Sequence, residues 1–156
     1  MPVQQLKEFL DSRGVKYVSI THSLAYTAQE VAASAHVSGK EMVKTLVVKL
    51  DGRMALVALP ASEKVDLHQV KDATGARDVA LATEAEFGSR FPGCDVGAMP
   101  PFGTLYGMDT YVTDSLTRDR EIAFNAGTHT EVIRMTYADY ERLATPKKIG
   151  SSVTSA

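Results

Sequence analysis

Two β-rich runs joined by a two-residue turn constrain this chain more than any other feature. Residues 43–50 and 53–59 are dominated by branched and aliphatic side chains, and Asp51-Gly52 between them tolerates the positive φ angles a tight hairpin needs. They are read as an antiparallel hairpin closed by Pro60, so the fold must contain a sheet. Around it the signals alternate irregularly. Val3, Leu6 and Leu10, with Phe9 beside them, lie on one helical face, and Gly14 follows as a C-terminal cap. Residues 16–20 read as a short strand. Thr27-Ala28-Gln29-Glu30 forms a capping box that opens a helix through Val31, Ala32 and Ala35. Asp66 caps a helix through Leu67 and Val70 that ends at Gly75; residues 79–81 read as a strand. Thr83-Glu84-Ala85-Glu86 is a second capping box, and its helix stops before Pro92. A Gly- and Pro-rich irregular stretch fills 93–107. Strands are expected at 110–112, 121–124 and 131–135, then a helix capped by Thr136, running through Tyr140 and Leu143 and ended by Pro146. This mixture predicts an α/β chain of the α+β type: a mixed, largely antiparallel sheet surrounded by helices in a single compact domain. The domain is expected over 1–146, with a disordered polar tail over 147–156.

The bulk numbers narrow the class. A chain of 156 residues suits one domain with its own core, and 44% hydrophobic with 23% charged residues is ordinary for a water-soluble globular protein. The single cysteine, Cys94, excludes a disulfide framework and a thiolate zinc cluster. No run approaches the ~20 apolar residues of a membrane helix, and the N-terminus lacks the basic and apolar segments of a signal peptide. A cytoplasmic location without membrane contact is expected. The net charge of -2 provides no bulk attraction to nucleic acid, so any RNA contact requires a local basic patch or another protein.

Three features could carry chemistry. Lys44 shares a strand face with Leu46, Val48 and Leu50, so a lysine opens an otherwise apolar face. It either snorkels to water from the strand end or holds an ammonium at a cleft mouth for a phosphate. Gly97-Ala98-Met99-Pro100-Pro101-Phe102-Gly103 combines glycines that permit close approach with prolines that stiffen the backbone. Such a segment either connects elements rigidly or aims N–H groups at a carbonyl or developing oxyanion. His129, between two expected strands, could bond a substrate amine or ester, or satisfy a nearby carbonyl. His22, His36 and His68 show no metal-ligand spacing with one another or with Cys94, and His36 and His68 are expected on the surface. Ser23 and Ser62 lack a nucleophile-elbow context, and no phosphate-loop or dinucleotide fingerprint is present. No cofactor or metal is expected. A hydrolase of this composition would act on an already activated bond, by positioning.

In order along the chain, His22, Thr27-Ala28-Gln29-Glu30-Val31-Ala32, Val43-Lys44-Thr45-Leu46-Val47-Val48, Leu59-Pro60-Ala61, Val65-Asp66-Leu67, the 97–103 loop, Asp114-Ser115-Leu116 and Phe124-Asn125-Ala126-Gly127 resemble the YbaK / prolyl-tRNA synthetase editing-domain family. The resemblance runs from His22 to Leu143. It implies a mixed sheet with helices around a cleft, and hydrolysis of the ester of aminoacyl-tRNAs carrying the wrong, small, amino acid. It implies that Lys44 engages the tRNA 3′ end. It also implies that Gly97, Ala98, Met99, Pro100 and Pro101 hold the aminoacyl carbonyl through backbone amides. His129, beyond the Asn-Ala-Gly turn that ends at Gly127, would orient the substrate, and Thr27 would line the amino-acid pocket. The expected partner is the acceptor end of an aminoacyl-tRNA; a synthetase could supply tRNA identity, and the oligomeric state is open. The sequence departs from the Cys-tRNA deacylase branch: Ser19-Ile20 stands where that branch has a tyrosine, and Ala126-Gly127 where it has a glycine pair. Alanine-, proline- and serine-type substrates remain open. The competing expectations are a non-catalytic module of the same fold that binds tRNA ends or a synthetase, and an unrelated small-ester hydrolase.

Overall fold

The computed structural model describes residues 2–22, 38, 40–95 and 97–150, with side chains from residue 4 onward. The predicted hairpin is its centre. Strands β2 (Met42–Leu50) and β3 (Arg53–Pro60) pair antiparallel from Val43↔Pro60 to Leu50↔Arg53. Asp51 and Gly52 both take positive φ, 51° and 87°, the backbone that matches strand twist across a two-residue loop. The Asp51 carboxylate also accepts from the Arg77 and Asp78 N–H groups, which ties the turn to the segment before strand β4 (Val79–Leu81).

The remaining strands are β1 (Val18–Thr21), β5 (Asp109–Thr113), β6 (Glu121–Asn125), β7 (Glu131–Thr136) and β8 (Lys147–Ile149). The sheet runs β1-β7-β6-β2-β3-β5-β8, and β4 pairs with the free end of β2. Pairings β2·β6, β3·β5 and β5·β8 are parallel; the other four are antiparallel. One face is covered by helix α1 (Pro2–Ser12), through Leu6 and Leu10, and by the C-terminal helix (Tyr137–Ala144), which pack with Val43, Phe102, Phe124 and Ile133. On the other face Val70 of helix α2 (Leu67–Thr74) meets Val48, Val57 and Leu59. The caps are those the residues imply: Asp66 accepts from His68 N–H, Gly75 is left-handed, and Thr83 and Glu86 form the reciprocal box of helix α3 (Glu84–Phe87). A short α4 (Asp114–Thr117) was not expected, and the Tyr137–Ala144 helix is therefore α5.

The start of the C-terminal tail, residues 147–149, differs from expectation. After Pro146 the chain forms β8 on the outer edge of β5, and Ile149, 3% exposed, packs beside Val57 and Val70. An open strand edge and one apolar side chain suffice to order these residues. The capping box at Thr27, the helix beyond it, His36 and residues 151–156 lie outside the described residues.

Candidate active site

A notch in the sheet edge organises the site. β2 pairs with β6 only at Met42↔Ala123 and Val43↔Phe124, and with β4 only from Val48 onward. Between these contacts one edge of β2 has no strand partner among the described residues, and the Ala82 N–H closes the far end on the Val47 carbonyl at 2.9 Å. Lys44 is the first residue of the notch. Its side chain leaves β2 on the face of Leu46 and Val48, as alternation requires. Burial pushes its pKa down; Glu63 opposes this and Lys64 adds to it. Glu63 is itself buried and accepts from Ser115 Oγ at 2.9 Å, which in turn contacts Thr113 Oγ1 at 3.1 Å. The Lys44 ammonium is thus half-buried and feels the charge of a carboxylate that is itself buried and hydrogen-bonded.

The second half of the site lies where β6 ends. Gly127 N–H donates to the Ala98 carbonyl at 2.9 Å, Asp95 N–H donates to the Gly127 carbonyl at 2.8 Å, and His129 N–H reaches Asp95 Oδ2 at 3.3 Å. These bonds clamp Asp95 and Ala98 against Gly127 and His129. Gly97 has φ 84° and Gly127 φ 101°, conformations that side chains other than glycine's rarely adopt. A Cβ on Gly97 would lie 3.7 Å from His129 Cε1, so the two predicted residues are neighbours. Beyond Gly97 the loop dives into the core. Phe102 packs edge-on against Phe9, Phe124 and Tyr140, and the Tyr140 hydroxyl donates to the Pro101 carbonyl at 2.8 Å.

This anchoring decides which amides can serve a ligand. Ala98 N–H is committed to the Asp95 carbonyl at 3.0 Å, and Pro100 and Pro101 have no N–H. Among the described residues, Gly97 and Met99 are the two of this loop whose N–H groups have no hydrogen-bond partner. Met99 packs with Val47 and Leu56, on the face of β2 opposite the Lys44 side chain. The loop and the ammonium thus flank the notch from opposite faces.

Sequence reasoning singled out Lys44, Gly97, Gly127 and His129, but passed over three neighbours: Asp95, which bonds Gly127 and His129, Glu63, whose charge acts on Lys44, and Asn125, which ends β6. A charged residue just after a strand-ending proline was the available signal for Glu63, and a polar residue closing an apolar strand was the signal for Asn125. Thr27 lies outside the described residues. Among those described, no group of three His, Cys, Asp or Glu residues is placed to hold a metal ion. A cleft of about 420 Å³ between Asp119, Tyr137 and Lys148 and one of about 210 Å³ beside the hairpin turn both lie away from this site.

A mixed α+β sheet with a half-buried lysine and a clamped glycine-proline loop around an edge notch makes this the candidate ligand site. The model of the aminoacyl-tRNA editing domain matches residues 22–143, and the chain belongs to that family. It is 31% identical over 152 residues to the multifunctional Ser/Thr-tRNA deacylase ProXp-y of Escherichia coli K12, covering 94% of this chain and 90% of that protein. It is 29% identical over 75 residues to the proline–tRNA ligase of Bacillus mycoides, covering 48% of this chain and 13% of the ligase. Its fold is similar to the crystal structure of a candidate trans-editing enzyme for prolyl tRNA synthetase, with a TM-score of 0.82, 22% identity and 97% of each chain covered.

Proposed function

We propose that this protein is a trans-editing aminoacyl-tRNA deacylase that hydrolyses the ester linking a small, wrongly attached amino acid to tRNA. Family membership and the deacylase similarity support the reaction class. The observation that carries the mechanism is the pair of uncommitted N–H groups at Gly97 and Met99, on a segment clamped at Gly127 and anchored through Phe102. Donors fixed before the reaction stabilise a developing oxyanion without reorganising, and one such donor is typically worth about 2.7–4 kcal/mol in the barrier. Lys44 binds the terminal phosphate, held in place by Glu63. His129 orients the aminoacyl group. Water attacks the carbonyl carbon, the bond to the ribose oxygen breaks, and that oxygen takes up a proton; the products are free amino acid and tRNA.

The physical need is clear. A synthetase pocket gains only about 1–3 kcal/mol of discrimination from one methylene, so a smaller amino acid slips through and a second, size-limited site must remove it. tRNA identity comes from the acceptor stem or from a synthetase partner, which the partial similarity to a proline–tRNA ligase favours. Deacylation of a panel of mischarged tRNAs tests the whole reading: ester loss above the spontaneous rate is expected for small amino acids. Lys44→Ala should lower kcat/KM by roughly 100-fold, about 2.7 kcal/mol, with the thermal midpoint retained. Full activity in that variant removes Lys44 from the mechanism. Tight binding of minihelices with no turnover marks a non-catalytic module instead.

A further inference from the structure

Asn125 is the last residue of β6 and is 6% exposed, yet its Oδ1 has no hydrogen-bond partner. Buried amide oxygens are almost always satisfied, because stripping one of water without replacement weakens the fold. Two observations show where this oxygen lies. Phe124 points into the core between α1 and α5, so Asn125 points to the other face of the sheet, the face that Lys44 shares. Register then places it at the notch: Val43 pairs with Phe124, and the next residue on each strand is Lys44 and Asn125. The clamp at Gly127 and Ala98 begins two residues later. The unsatisfied acceptor therefore lies on the Lys44 face of the sheet, at the notch and two residues before the clamp.

Resting on the deacylase reading, we infer that Asn125 Oδ1 accepts a hydrogen bond from the aminoacyl group and is a substrate-positioning and specificity residue. The donor chemistry is an N–H or O–H near the ester carbonyl. It has two sources: the α-amino group, present in every aminoacyl ester, or the side-chain hydroxyl of a seryl or threonyl group. Lys44 and the free loop N–H groups are all donors. They serve the phosphate and the carbonyl, and none of them can accept a hydrogen bond from the substrate. Asn125 supplies an acceptor on the Lys44 face, at the cost of native-state stability.

The test uses the full chain with non-hydrolysable 3′-amide analogues of the acceptor adenosine: propionyl (neither donor), alanyl (amino group) and seryl (both). Asn125→Leu is near in volume and apolar, and Asn125→Ala is a second, smaller variant. Because the buried acceptor lacks a partner, Asn125→Leu is expected to keep or raise the thermal midpoint while weakening alanyl-analogue binding on the order of tenfold. The propionyl analogue should bind both proteins equally. A further loss confined to the seryl analogue assigns the hydroxyl as a second donor; a loss seen with seryl but not alanyl assigns the hydroxyl alone. The inference is overturned if the variants weaken all three analogues equally, if Asn125→Leu lowers the midpoint, or if no affinity changes. Wild-type protein that binds none of the analogues overturns it as well. Wild-type protein that shows the donor-dependent difference but hydrolyses no mischarged tRNA overturns the deacylase reading and leaves the Asn125 assignment standing.

Discussion

At the scale of single residues, two glycines of one loop are required for different reasons. Gly103 has no room: a Cβ there would lie 2.3 Å from the Met108 carbonyl oxygen and 2.5 Å from Thr110 Oγ1. Gly97 has room, since its nearest neighbour would be His129 Cε1 at 3.7 Å, but it needs φ 84°. Gly97→Ala should therefore cost only backbone strain, about 1–2 kcal/mol, or a fall of roughly 2–8 °C in the thermal midpoint. Its larger effect should be on kcat, by roughly 10–100-fold, because relaxing φ turns an oxyanion donor aside. Calorimetry beside single-turnover deacylation checks this, and a purely thermal effect would remove the Gly97 N–H from the mechanism. Lys44 and Gly97 stood out as candidates in the sequence because each breaks a local pattern or sits in a distinctive one, whereas His129 became a candidate through the family resemblance. Glu63, Asp95 and Asn125 were not, because their roles depend on partners remote in the chain: Ser115 for Glu63, and Gly127 and His129 for Asp95.

At the scale of elements, the central hairpin, the Asp66 and Thr83 caps and the C-terminal helix were legible because turn and cap chemistry is local. The three-residue β8 was not. So short a strand shows no periodicity, and it exists because β5 offers it an edge and α2 offers Ile149 a contact. Ile149→Ala should destabilise the protein by about 2–4 kcal/mol, read as a lowered urea midpoint at unchanged slope. A shift within 0.5 kcal/mol would separate β8 from the cooperative unit. The notch is likewise a property of elements in combination. Among the described residues, β6 and β4 share one edge of β2 without meeting, and the candidate site lies at that gap.

At the scale of the whole molecule, stability should carry the mark of Asp119. Its carboxyl is pushed up to about 6 by burial, with Glu41 and Glu63 adding to the shift and Lys40 opposing it, and its Oδ2 has no hydrogen-bond partner. The native state thus holds this proton more tightly than the unfolded chain, whose value is near 3.8. Ionised Asp119 disfavours folding above pH about 6, and the penalty fades as pH falls from there towards 3.8. Asp119→Asn should raise the thermal midpoint at pH 8 and bring no advantage at pH 4; an equal gain at both would deny the link to ionisation. Local chemistry written into the chain determined the hairpin, most helix boundaries, the class of fold and the residue types of the site, since propensity, capping and turn geometry act over a few neighbours. Tertiary structure alone decided the strand order, which loop amides are free among the described residues, which charges surround Lys44, and that an asparagine buries an unanswered oxygen. Each of these depends on which distant segments meet, and no single stretch of sequence carries that information.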